Sequence, residues 1–112
     1  MRVIITDTAI ESLWPIYQYH QRYSEQYADQ FQHDLDQYIV TSLQDNPKIG
    51  LVYNTVKNIR RLIYQKRYNV YYTIMDNIVY VLFIYHGRMN INTLIETDDI
   101  ELFLNQSDHD PS

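Results

Sequence analysis

The chain contains no cysteine, so disulfides, cysteine-ligated zinc and a thiol nucleophile are all excluded. It has only two glycines, Gly50 and Gly87, which rules out a glycine-rich loop that could cradle a phosphate. The four histidines, His20, His33, His86 and His109, stand at no metal-ligand spacing, and neither a metal nor a cofactor is expected. The N-terminal stretch MRVIITDTAIE has three consecutive apolar residues before Thr6 and Asp7, too few for a secretory signal or a membrane span, so a cytoplasmic protein is expected.

What is present fits one small domain. The chain has 112 residues, including twelve tyrosines. Tyrosine joins a large apolar body to a polar tip, and it suits half-buried sheet faces, interfaces and small cores alike. The net charge of −5 is unevenly spread. Residues 1–47 carry Arg2 and Arg22 against seven acids. Residues 48–88 carry seven bases against Asp76 alone, and residues 89–112 carry six acids and no base. A basic middle between acidic ends suggests a positive surface for an acidic partner, or a solvated strand surface with charged turns.

The apolar periodicity divides the chain. RVII reads as a short strand. Thr8-Ala9-Ile10-Glu11 has capping-box spacing and predicts a helix starting near Thr8, with Ile10, Leu13, Trp14, Tyr17 and His20 on its inner face. Pro15 predicts a kink in that helix or a late start. Ser24 is a cap candidate for a second helix, which carries Tyr27, Ala28, Phe31, Leu35, Tyr38, Ile39 and Leu43 on one face and ends before Pro47. After Gly50 the segments NIRRLIYQ, RYNVYYTIM and NIVYVLFIYH are β-branched and aromatic, with turns at Gln65-Lys66-Arg67 and Asp76-Asn77. The expected fold is α+β: an N-terminal strand, a helical hairpin, then an antiparallel three-stranded meander (β-α-α-β-β-β) with an acidic C-terminal tail. Residues 1–104 form the domain and 105–112 a disordered tail. The last strand belongs inside the sheet, and the sheet face away from the helices would leave Tyr and Phe exposed in a free monomer.

The helical hairpin, the NPKIG loop, and the run IRRLIYQKRYNVYYTIMDNIVYVLFIYHGRM resemble the RelE/ParE superfamily of type II toxins, from about Val3 to Met89. The HGR ending looks closer to the ParE branch. The resemblance implies a cytoplasmic toxin held by a cognate antitoxin whose C-terminal segment wraps it, with operon DNA bound only through the antitoxin. RelE-like members cut mRNA on the ribosome and need a basic cluster together with proton donors and acceptors. The characterised ParE-like members poison DNA gyrase.

His86 matches a catalytic histidine of some ribonuclease members. Gly87 stands where that subgroup often has a tyrosine, and Asn69 falls near its central-strand arginine. Inhibition of gyrase is therefore the expected function; a ribosome-dependent endoribonuclease and an inactive or unknown-target member are the alternatives. Were the chain a ribonuclease, His86, Arg60, Arg61 and Arg88 would carry the chemistry. Lys57, Arg60, Arg61, Tyr71, His86 and Arg88 are the candidate contacts to target or antitoxin. Adjacent strand residues face opposite sides, so one of Arg60 and Arg61 should lie on the helix side, with at least one of them tied to an acid such as Asp34 or Asp36. Gly87 is expected to let another backbone approach closely. Asp98-Asp99-Glu101 reads as an acidic arm.

Overall fold

A computed structural model describes residues 1–87. The tail, the acidic arm and Arg88 lie outside the described residues. The order is β1 (Arg2–Ile5), α1 (Asp7–Gln21), α2 (Glu25–Asp45), β2 (Leu51–Asn54), β3 (Ile59–Tyr64), β4 (Tyr68–Met75) and β5 (Ile78–His86). The strands form one sheet in the order β1-β5-β4-β3-β2. β3, β4 and β5 are the antiparallel meander that the sequence implies, and β5 lies inside the sheet between β4 and a parallel β1. β2 is an additional edge strand that the periodicity does not announce. Its four residues are too few to show an alternation.

The meander turns follow from residue choice. Asp76 and Asn77 both take positive φ (53° and 62°), as do Gln65 and Lys66 (52° and 62°). The β4–β5 turn is a two-residue hairpin, which needs positive φ at both central positions, and Asp and Asn tolerate it best after glycine; the β3–β4 loop has three residues, Gln65, Lys66 and Arg67.

α2 forms as its pattern predicts. Ser24 caps it by accepting from the Tyr27 N–H, and Ala28, Phe31, Leu35, Ile39 and Leu43 are buried at the expected spacing. Tyr27 stays on the outside. α1 differs in three respects. Its cap is Thr6, not Thr8: the Thr6 hydroxyl accepts from the Ala9 N–H and also donates to the Val81 carbonyl (2.7 Å), tying the helix start to β5. That anchor turns Ala9, Leu13, Ile16 and His20 inward, leaving Ile10 and Trp14 52% and 54% exposed. Trp14 stacks on Tyr17 at the surface (5.4 Å between centroids). Pro15 interrupts nothing, because it faces solvent, where water can satisfy the carbonyl that loses its partner.

The main core lies between the helices and one sheet face. Leu13, Ile16, Phe31, Leu35, Ile39 and Leu43 meet Leu62, Val70, Tyr72, Val79, Val81 and Ile84 there. A second cluster, Ile59, Tyr71, Tyr80, Leu82 and Phe83, occupies the other face. These side chains are buried, contrary to the exposed aromatic face that the sequence suggests. Their rings lie against one another and against flanking tyrosines, with Tyr53–Tyr71 at 5.1 Å and Phe83–Tyr85 at 5.8 Å. A register shift in β5 opposite Tyr71 and Tyr72 brings the neighbours Leu82 and Phe83 into this one cluster.

Candidate functional site

β1 pairs with β5 only as far as Ile5↔Val81, so the rest of the β5 edge passes to α1. The Thr6 N–H donates to the Val81 carbonyl (3.1 Å), and the Ile84 N–H donates to the Ser12 hydroxyl (2.8 Å). An uncovered strand edge invites foreign pairing, and the helix closes part of it here. Beyond Ser12, α1 and the ends of β4 and β5 enclose a cleft of about 520 Å³, into which His20, Tyr68, Arg67 and His86 all reach.

His20 is 8% exposed. Its Nε2 lies 3.1 Å from the Tyr68 hydroxyl, and its ring sits 4.4 Å from Phe31 and 5.2 Å from Tyr27. Burial, and then the nearby His86, push its pKa below the ordinary histidine value. Burial raises that of Tyr68, so both shifts favour the neutral forms at this contact. His86 packs edge-on against Tyr68 (5.3 Å) and is itself exposed. His86 pairs with Tyr68 across the sheet, which places it on the helix side.

The strand end is held by its own backbone. The Gly87 N–H donates to the Arg67 carbonyl (2.7 Å), and the Asn69 side-chain amide donates to the Gly87 carbonyl (2.5 Å). Gly87 takes φ +76°, and a Cβ there would meet nothing within 4 Å. The glycine serves a left-handed backbone turn. Asn69 is buried and structural. A second cleft of about 300 Å³ lies beside it, sharing Arg67 and His86 with the first.

Arg60 and Arg61 are elsewhere. Arg60 pairs with Tyr72, four residues along β4 from the Tyr68 that faces His86. At about 3.3 Å per residue that is roughly 13 Å along the strand. Arg60 does lie on the helix side, but it is not tied to Asp34 or Asp36. Its Nη1 donates to the carbonyls of Gly50 (2.7 Å) and Lys48 (3.2 Å). The same loop is held by Tyr72, whose hydroxyl donates to the Pro47 carbonyl (2.8 Å) and accepts from the Gly50 N–H (2.9 Å). Gly50 is required by contact: a Cβ would lie 2.7 Å from the Tyr72 oxygen and 2.9 Å from the Arg61 carbonyl. Arg61 pairs with Tyr71 and Leu51 on the opposite face and lines a small hollow with Val52 and Tyr53. Tyr71 is 1% exposed and offers almost no surface. Lys57 is half-buried, in a turn closed by its own N–H to Asn54 Oδ1 (3.0 Å). The sheet end therefore does not gather Arg60, Arg61 and His86. It pairs His86 with His20, Tyr68 and Arg67, none of which the sequence nominated as its companions.

The edge strand β2 leaves Leu51 and Val52 exposed, with Ile49 and Val56 exposed beside it. Lys48, Lys57, Arg60 and Arg61 surround this edge. Among the described residues, no helix is long and apolar enough to cross a membrane, and no group of three acids or histidines could hold a metal ion.

Residues 3–91 match the family model described as the ParE toxin of type II toxin–antitoxin systems, parDE. The chain belongs to the ParE toxin family. It is thus a toxin of the RelE/ParE superfamily, on the ParE branch, with an α+β fold and a cognate antitoxin implied by the family. The comparison with curated proteins finds no match.

Proposed function

We propose that this ParE-family toxin acts by binding DNA gyrase and not by cutting mRNA, and that a cognate antitoxin neutralises it. The observation that carries this reading is the structural use of the two positions where the ribonuclease subgroup has its arginine and tyrosine. Asn69 holds the Gly87 carbonyl, and Gly87 sits at a positive φ that a tyrosine would adopt only with strain. Arg60 is committed to loop carbonyls roughly 13 Å along the strand from the level of His86, and so cannot clamp a phosphate that His86 acts on. Binding a protein target needs a surface and no such convergence.

The antitoxin surface that best fits the charge and shape is the β2 edge. Its exposed Leu51 and Val52 would take alternate side chains of an added strand, and the surrounding bases would take the partner's acids. Reversing charge at Lys48, Lys57 and Arg61 together is expected to abolish co-purification with the antitoxin or make it strongly salt-sensitive. Unchanged binding would remove this surface from consideration.

One observation favours the ribonuclease as a second reading. His86 shares a cleft with a second histidine, a tyrosine and an arginine, a set able to move protons and hold a phosphate. The purified toxin, freed of antitoxin, separates the two readings in a gyrase supercoiling assay run beside a translating ribosome extract. Inhibited supercoiling with intact mRNA is expected. Codon-positioned mRNA cuts with normal supercoiling would overturn the gyrase reading, and His86→Ala should then reduce cleavage by about 100-fold.

A further inference from the structure

The cleft between α1 and the ends of β4 and β5 is more than a packing gap. At about 520 Å³ it falls within the range of small-molecule sites, which run from about 300 to 1,000 Å³. Its walls are flat and apolar, formed by Ile16, Tyr19, Tyr68 and Tyr85. Ser12 and the tyrosine hydroxyls are its neutral polar groups. His20, Arg67 and His86 also line it, and among the described residues no carboxylate does, although the chain as a whole carries a net charge of −5. The Arg67 guanidinium makes the cleft locally positive.

The fold keeps these groups in place. Arg67 and His86 are joined through backbone, because Gly87 beside His86 donates to the Arg67 carbonyl. His20 is fixed by Tyr68 and by the rings of Phe31 and Tyr27. A ligand would thus meet Arg67 and the two imidazoles on a backbone already in position, which keeps the ordering cost of binding low. A purely apolar guest would leave Arg67 and His86 unanswered, and a bare anion would leave the aromatic walls wet. A flat ring bearing an anionic group satisfies both.

We propose that this cleft binds a small aromatic anion, its ring laid against Tyr19, Tyr68 and Tyr85 and its phosphate or carboxylate held by Arg67 and His86. This site is separate from the β2 edge, and it is the cleft that the ribonuclease reading would also use.

The test uses the purified full chain with ¹³C-labelled histidine, following the ring signals of His20 and His86 by NMR. The probes are adenosine monophosphate, indole-3-acetate, adenosine and inorganic phosphate. At least one of the two aromatic anions should shift both histidine signals saturably, at least about 10-fold more tightly than adenosine or phosphate. Which of them binds tighter identifies the anionic group as phosphate or carboxylate. Arg67→Ala, at an exposed turn and therefore expected to fold, should weaken binding by about 10-fold or more, the scale of one charge-assisted contact. Three results would overturn the proposal: no saturable shift up to about 10 mM ligand, affinity unchanged in folded Arg67→Ala, or phosphate alone binding as well as the aromatic anions. Histidine signals that respond only when the antitoxin is added would also overturn it, and would assign the cleft to a side chain of that protein.

Discussion

Tyr72 holds the loop that carries the chain from α2 into the sheet, and its hydroxyl is the part to remove. In Tyr72→Phe the ring stays, so no cavity opens and the loss is of hydrogen bonding alone. The buried hydroxyl donates to the Pro47 carbonyl at 2.8 Å and accepts from the Gly50 N–H at 2.9 Å. Each bond is worth about 1 kcal/mol net, and a buried donor left without a partner costs more than the bond it lost, so the total is about 2–3 kcal/mol. For a domain of this size, about 4 °C of melting temperature accompanies each kcal/mol, giving a drop of roughly 8–12 °C. Thermal unfolding followed by circular dichroism reads it directly. Tyr38→Phe is the control. It removes one exposed bond, to the Ile63 carbonyl (3.1 Å), and should cost roughly 0.5 kcal/mol, about 2 °C. If Tyr72→Phe melts no lower than Tyr38→Phe, the loop is held by Arg60 or by packing, and the Tyr72 hydroxyl is not its anchor.

Four further outcomes follow from the same geometry. Gly50→Ala should be severely destabilising, because its Cβ meets the Arg61 carbonyl as well as the Tyr72 ring. Adding Tyr72→Phe should relieve only part of the loss, and a full rescue in a double-mutant cycle would show the backbone contact to be harmless. Gly87→Ala should cost only about 1 kcal/mol, the penalty for a left-handed residue in open space; a loss of several kcal/mol in chemical denaturation would mean a clash that the geometry does not contain. Ile16→Ala should cost about 2–5 kcal/mol and Trp14→Ala under about 1, reversing what side-chain size alone suggests; equal losses would place Trp14 in the core. His20 has a folded pKa below its ordinary 6.5, so the unfolded chain takes up the proton first. Its contribution to stability is complete above about pH 6.5 and is lost as pH falls from there through the lower folded value, with His86 the neighbouring base that adds to the effect. His20→Phe, which keeps the ring among Tyr27, Phe31 and Tyr68, should flatten that acid slope, and a slope unchanged in the variant would assign it to another group.

The sequence by itself determined the elements whose signals are local. α2 was legible because its cap, its three- and four-residue apolar spacing and its terminal proline all agree. The meander was legible because two turns rich in polar residues separate three β-branched, aromatic runs. The family resemblance was carried by the same segments. The tertiary structure decided what depends on partners distant in sequence. The inner face of α1 is set by Thr6 bonding Val81, 75 residues away, and apolar periodicity alone cannot distinguish Ala9 and Ile16 from Ile10 and Trp14 as the face that docks. The role of Arg60 was missed because its partners are backbone carbonyls, which every residue possesses and no sequence pattern marks. The cleft was invisible for the same reason. His20, Arg67 and His86 come from a helix, a turn and a strand end, and only the early end of β1, which leaves the β5 edge to α1, brings them to one place.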